Sequence, residues 1–186
     1  MSEGIAADIA KRIKLVLLDV DGVLTDNGVY VGATVGGEAV ELKRFSILDG
    51  LGIKLLQWGG LKVALVSGRR SVASQLRADE LGIECHMSPQ GEKIDAAEAV
   101  MARHGVSWTE VACVGDDLAD IPLFKRAGLP VAVGNAVPEV KALAAWITTN
   151  HGGSGAVREF AEEVLKARGD WVRLVDEYVR ARDRDS

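Results

Sequence analysis

Residues 14–26 read KLVLLDVDGVLTD, an apolar run that opens into two carboxylates one residue apart and then a glycine. A continuous apolar run bounded by turn residues is the pattern of a strand buried on both faces, hence of a parallel sheet. In such sheets ligands sit beyond the carboxyl ends of the strands. Asp19 and Asp21 fall at that end, which makes this short stretch a statement about both fold and site.

Working outward, similar runs recur at Lys14–Val20, Lys62–Ser67, Val111–Gly115 and Leu129–Val133, with a weaker one at Trp146–Thr149. Helical patterns separate them at Gly50–Gly59, Arg70–Leu81, Glu92–His104, Leu118–Ala127 and Pro138–Ala145. This alternation predicts right-handed βαβ units: an α/β, Rossmann-like three-layer sandwich with helices on both faces of a central parallel sheet. One interval breaks the rhythm. Residues 27–45, NGVYVGATVGGEAVELKRF, alternate apolar and polar positions around a Gly-Gly turn, so a β-hairpin flap is expected after the first strand. Its apolar side calls for cover from a partner or ligand. Residues 155–168 and 170–182 form two charged amphipathic patterns, the second expected on the surface or against a neighbouring subunit.

The chain has 186 residues, 48% apolar and 26% charged, which suits one globular domain over 1–186 with the hairpin at 27–45 and a helical extension at 170–186. A net charge of -5 and a pI of about 5.3 argue against an unspecific grip on nucleic acid or an anionic membrane. The opening MSEGIAADIAKRIK lacks a long apolar stretch, and a cytoplasmic location is expected. Cys85 and Cys113 lie in no CxxC pair, and His86, His104 and His151 are scattered, so neither type suggests a metal site.

Two carboxylates as close as Asp19 and Asp21 repel each other, and so imply a cation. A carboxylate can attack phosphorus while a second acid protonates the leaving oxygen and later activates water. Asp19 suits the first task and Asp21 the second, although a pair of loop-capping aspartates would look the same. The second strand ends in VSGRR, so Ser67 and the following amides stand at a strand-to-helix turn able to receive an anion. Lys93 opens a helix, where a lone lysine is ordinarily solvated. The third main strand ends in VGDDLAD, whose Asp116, Asp117 and Asp120 would complete an oxygen-rich magnesium site or cap the next helix.

Taken in order, DxDGxxxD, Ser-Gly-Arg, Lys and GDDxxD resemble the haloacid dehalogenase superfamily of phosphotransferases. The resemblance implies that Asp19 is the nucleophile, Asp21 the general acid/base, Ser67 and Lys93 the holders of the phosphoryl group, and Asp116 a magnesium ligand. Asp19 and the backbone carbonyl of Asp21 would complete the protein's share of that Mg2+ site. The hairpin, ELKRFSILDGLGIK, the SGR turn and the late GGSGAVREF narrow the likeness, over about residues 13–168, to the capless phosphatases of 3-deoxy-D-manno-octulosonate (KDO) 8-phosphate. In that family four hairpins form a central barrel and neighbouring chains help cover the site, which implies a homo-oligomer, most simply a tetramer, in lipopolysaccharide precursor synthesis.

Positions matching the family's substrate contacts are Ser46, Asp49, Gly50, Lys54, Gly68, Arg69 and Arg77. Arg77 stands eight residues beyond Arg69, about two helical turns, so both are expected to aim at the mouth of the site and meet an anionic sugar acid. The chain departs from the family pattern at Ser46 (usually Asn), at Leu48 and Lys54 (usually Arg) and at Ser154 (often Arg). A nonulosonate 9-phosphate is therefore an alternative substrate, although Arg69 stands where related nonulosonate enzymes carry Glu. A catalytically silent assembly or regulatory domain of the same fold is a further alternative, but Asp19, Asp21, Lys93 and Asp116 are all present.

Overall fold

The computed structural model describes residues 4–88 and 92–183. Its elements are α1 (Ala7–Arg12), β1 (Leu15–Leu18), β2 (Tyr30–Ala33), β3 (Ala39–Leu42), α2 (Ile47–Trp58), β4 (Lys62–Ser67), α3 (Val72–Leu81), β5 (Glu84–Met87), α4 (Lys93–His104), β6 (Val111–Gly115), α5 (Ile121–Phe124), β7 (Leu129–Ala132), α6 (Pro138–Lys141), β8 (Trp146–Ile147), α7 (Ala156–Arg168) and α8 (Trp171–Arg180). Six strands form one parallel sheet in the order β5-β4-β1-β6-β7-β8. The first strand is therefore central. β1 and β6 are buried along their whole length, as their unbroken apolar runs require.

The hairpin is present as expected, with Tyr30 paired to Leu42 and Ala33 to Ala39 in a separate two-stranded sheet. A bridge between Thr25 and Phe45 closes its base. α2 begins three residues earlier than the sequence pattern suggests, because Ser46 caps it by accepting a hydrogen bond from Asp49 N. The region 118–127 is not one helix: Asp117 caps a 3-10 turn over Leu118–Asp120, and α5 follows with Pro122 in its first turn. β5 lies outside the expected strands since, at the sheet edge, it is only half buried and has no apolar run.

The packing of the helices is set by close approaches. At Gly52 an added Cβ would stand 2.9 Å from the Arg158 Cα, so a side chain there would hold α2 and α7 apart. α8 packs within the chain: Leu174 is fully buried, and the rings of Trp58 and Tyr178 lie 5.7 Å apart. α1 and the residue that follows it also join the core, since Ala10 and Ile13 are buried and Arg168 donates hydrogen bonds to their carbonyls.

Candidate active site

Three adjacent strands, β4, β1 and β6, deliver their carboxyl ends to one cleft of about 230 Å³. It is lined by Asp19, Asp21, Asn27, Ser67, Gly68, Arg69, Lys93, Asp116, Asp117 and Asp120, with Ala119 beside them. The loop after β1 is fixed from within. Thr25 Oγ1 accepts from Gly22 N at 3.2 Å and Asn27 N at 3.3 Å and donates to Val20 O at 3.4 Å. Gly22 has φ +88° and faces the Asp116 carboxylate so closely that any Cβ would collide with it. A late loop presses on this one, with Gly153 N donating to Val23 O at 2.9 Å.

Lys93 is buried, and its Nζ lies 2.7 Å from both Asp19 Oδ1 and Asp120 Oδ1. Burial pulls its proton affinity down, but the two flanking carboxylates outweigh that and hold the ammonium above the ordinary lysine value. Asp120 has no carboxylate oxygen to spare: its second oxygen accepts from Asp116 N at 3.0 Å and Asp117 N at 3.3 Å. It is a support for Lys93 and for the loop. Asp117 is exposed and caps the turn through Leu118 N at 2.7 Å.

Asp19 and Asp116 are the acids left to take a cation, with Asp120 beside them. One carboxylate oxygen from each of Asp19, Asp116 and Asp120 lies within 4.8 Å of the others. Desolvation, the Asp120 charge and partial relief from Lys93 leave Asp19 raised to about 6. Desolvation and the neighbouring Asp19 and Asp120 charges raise Asp116 to about 8. Asp116 Oδ1 is buried without a hydrogen-bond partner. An orphaned hard oxygen beside crowded carboxylates fits magnesium, which takes oxygen ligands.

Ser67 ends β4, buried, its Oγ accepting from Arg69 N at 3.4 Å and donating to Arg69 O at 3.2 Å. Arg69 is half exposed and reaches Asp21 Oδ2 at 3.1 Å and the Glu41 carboxylate. Gly68 and Arg69 line the cleft, but the other expected substrate contacts do not. Asp49 is buried and accepts from Gly155 N at 3.2 Å and Arg158 N at 2.9 Å, capping α7 from α2. Lys54 Nζ donates to the Leu81 carbonyl at the end of α3. Arg77 does not aim at the mouth. It is buried, donates to Ser46 O at 3.1 Å and Glu80 at 2.7 Å, and lies 5.8 Å from the Phe45 ring centroid, leaving no room for a Cβ at Gly50. Ser46, Asp49, Gly50, Lys54 and Arg77 thus brace α2 against α3 and α7.

Two residues absent from the sequence-based set are drawn in by the hairpin. Lys43 Nζ stands 2.6 Å from Asp21 Oδ1, a close ion pair outside hydrogen-bond alignment, and Glu41 accepts from Ser71 Oγ at 2.5 Å. The signal was the alternation of the hairpin arm: Val40 and Leu42 point one way, so Glu41 and Lys43 must point the other. Asn27, at φ +67° on the cleft wall, had no such signal.

Comparison with known proteins gives consistent matches. The haloacid dehalogenase-like hydrolase profile matches residues 87–160. The KDO 8-phosphate phosphatase of Haemophilus influenzae is 40% identical over 159 residues, 86% of each chain. That of Escherichia coli K12 is 38% identical over 168 residues, 89% of this chain and 87% of the relative. Among solved structures, the KDO 8-phosphate phosphatase of Moraxella catarrhalis in complex with magnesium, phosphate and KDO superposes with a TM-score of 0.84 at 35% identity, covering 92% of this chain and 97% of that one. The cobalt-bound Haemophilus influenzae phosphatase gives a TM-score of 0.79 at 38% identity, covering 88% and 93%.

Proposed function

Because the chain belongs to the haloacid dehalogenase-like hydrolases, in the branch of the KDO 8-phosphate phosphatases, we propose that it hydrolyses KDO 8-phosphate to KDO and phosphate in lipopolysaccharide precursor synthesis. The observation that carries the reading is the meeting of Asp19 and Asp116, just beyond the adjacent strands β1 and β6, with Lys93 from the start of α4, and with Asp21 two residues beyond Asp19. Asp19, Asp116 and the backbone carbonyl of Asp21 would hold magnesium, which would supply positive charge that lets an anionic nucleophile approach a phosphate. Asp19 attacks phosphorus, the bond to the sugar oxygen breaks, and Asp21 gives that oxygen a proton. Lys93, Ser67 and the amides after it hold the phosphoryl oxygens. Asp21 then takes a proton from water, whose oxygen attacks phosphorus, frees phosphate and restores Asp19. Arg69 at the cleft wall is the cation offered to the sugar acid carboxylate.

The hairpin supports a homo-oligomer, most simply a tetramer, since Tyr30, Val31 and Leu42 are 65%, 80% and 61% exposed. Both cysteines are free, and among the described residues no helix is long and apolar enough to cross a membrane; these facts support the cytoplasmic reading. The departures from the family pattern at Ser46, Leu48, Lys54 and Ser154 make a nonulosonate 9-phosphate the competing substrate. Phosphate release should be measured on both with magnesium. KDO 8-phosphate is expected to give the higher kcat/KM, chelator to abolish turnover, and Asp19→Asn to be inert. Preference for the nine-carbon substrate overturns the assignment, and full activity of Asp19→Asn overturns the mechanism.

A further inference from the structure

Both oxygens of Asp21 are engaged by cations, and the two cations differ in kind. Arg69 Nε meets Oδ2 at 3.1 Å from a side chain 43% exposed, where an incoming anion can compete for it. Lys43 Nζ meets Oδ1 at 2.6 Å from a side chain with no exposure at all. Lys43 comes from the exit of β3 and is itself held: it donates to Ser74 Oγ of α3 at 3.1 Å and lies 4.0 Å from Glu41, which in turn binds Arg69 and Ser71. A fully buried ammonium cannot reach a substrate in the cleft, and it lines no part of the cleft. What it can do is fix the carboxylate beside it.

Resting on the reading of Asp21 as the general acid/base, we propose that Lys43 is its positioning residue. It anchors Oδ1 through the hairpin and leaves Oδ2 to exchange Arg69 for the leaving oxygen. The energetic case is geometric. Asp21 stands in a loop, a proton donor must sit within hydrogen-bond reach of the leaving oxygen, and a displacement of about 1 Å can cost on the order of a hundredfold. The hairpin thereby acquires a part in the chemistry while contributing no group to the cleft beyond Asn27 at its base.

The test uses leaving-group dependence, because kcat/KM covers only the steps through bond cleavage and a poor leaving group needs its proton most. With magnesium, Lys43→Met is expected to lose roughly ten- to a hundredfold in kcat/KM on glycerol 2-phosphate but less than about threefold on p-nitrophenyl phosphate. In an Asp21→Asn background, Lys43→Met should change neither value further, since the group it positions is gone. Should Lys43→Met not fold, Lys43→Gln, which keeps a donor towards Ser74, carries the same comparison. Equal losses on both substrates, no loss on either, or an undiminished loss in the Asp21→Asn background overturns the proposal. Failure of the wild type to release phosphate from either substrate overturns the phosphatase reading along with it.

Discussion

Asp19 and Asp116 are held above the ordinary carboxylate range by burial and mutual repulsion, so without a cation their charges oppose folding. A raised folded value means that the native chain binds more protons than the unfolded one, so stability is greatest below about pH 4 for these groups and is lost as pH rises towards about 8. In chelator, Asp116→Asn is therefore expected to melt higher than wild type near pH 8, by on the order of 2 kcal/mol or roughly 4–8 °C, and to gain little near pH 4. Magnesium should raise the Tm of the wild type and leave that of the variant nearly unchanged. Thermal melts at the two pH values check both statements, and a variant less stable than wild type in chelator at the higher pH contradicts them. Asp19, Asp21 and Asp116 were legible as acids just beyond strands that the apolar pattern marks, whereas Lys93, at a helix start where a lysine is ordinarily solvated, entered through the family resemblance. Asp120 was legible as an acid but not as a support, because its partnership with Lys93 spans 27 residues and depends on how α4 meets the loop after β6.

At the level of elements, the packing of Arg77 is instructive. Helical spacing from Arg69 assumed that the helix already included Arg69, whereas α3 begins at Val72 after a cap at Ser71. Arg77 therefore faces α2. Arg77→Ala should remove one of the two donors to Ser46 O, leaving Gly50 N, and open space beside Phe45 and Gly50, costing about 2 kcal/mol of stability. Its kcat/KM should change by one common factor on KDO 8-phosphate and p-nitrophenyl phosphate, and a loss confined to the sugar acid phosphate would return Arg77 to substrate binding. The hairpin shows the complementary case. Its existence and turn were readable from alternation, but its polarity was not. β3 turns Glu41 inwards and leaves Leu42 outside, the reverse of an ordinary surface strand, since its inner neighbours are Asp21, Arg69 and Ser71. No local pattern reports which side of a flap will face an active site.

Over the whole molecule, the hairpin's Val31 and Val40 share a cleft with Val72, and Ile47, Leu48 and Leu76 are exposed besides, apolar surface that the proposed oligomer would have to cover. Light scattering at micromolar concentration is expected to give a multiple of the chain's 19.8 kDa, and Val31→Glu combined with Leu42→Glu to shift it towards the monomer. A stable wild-type monomer would remove the shared barrel.

The sheet order has a consequence for how the enzyme is made. β1 leaves the ribosome first, yet it lies between β4 and β6, which begin at Lys62 and Val111. The loop carrying Asp19 and Asp21, held from within by Thr25, also receives a hydrogen bond from Gly153, late in the chain. Until the chain has grown past β6 the proposed nucleophile therefore travels on a strand that β4 alone can pair, with Asp116 still to be made. The first of these groups to be made thus waits for its partners, and a nascent chain is not expected to consume substrate before Gly153 has emerged.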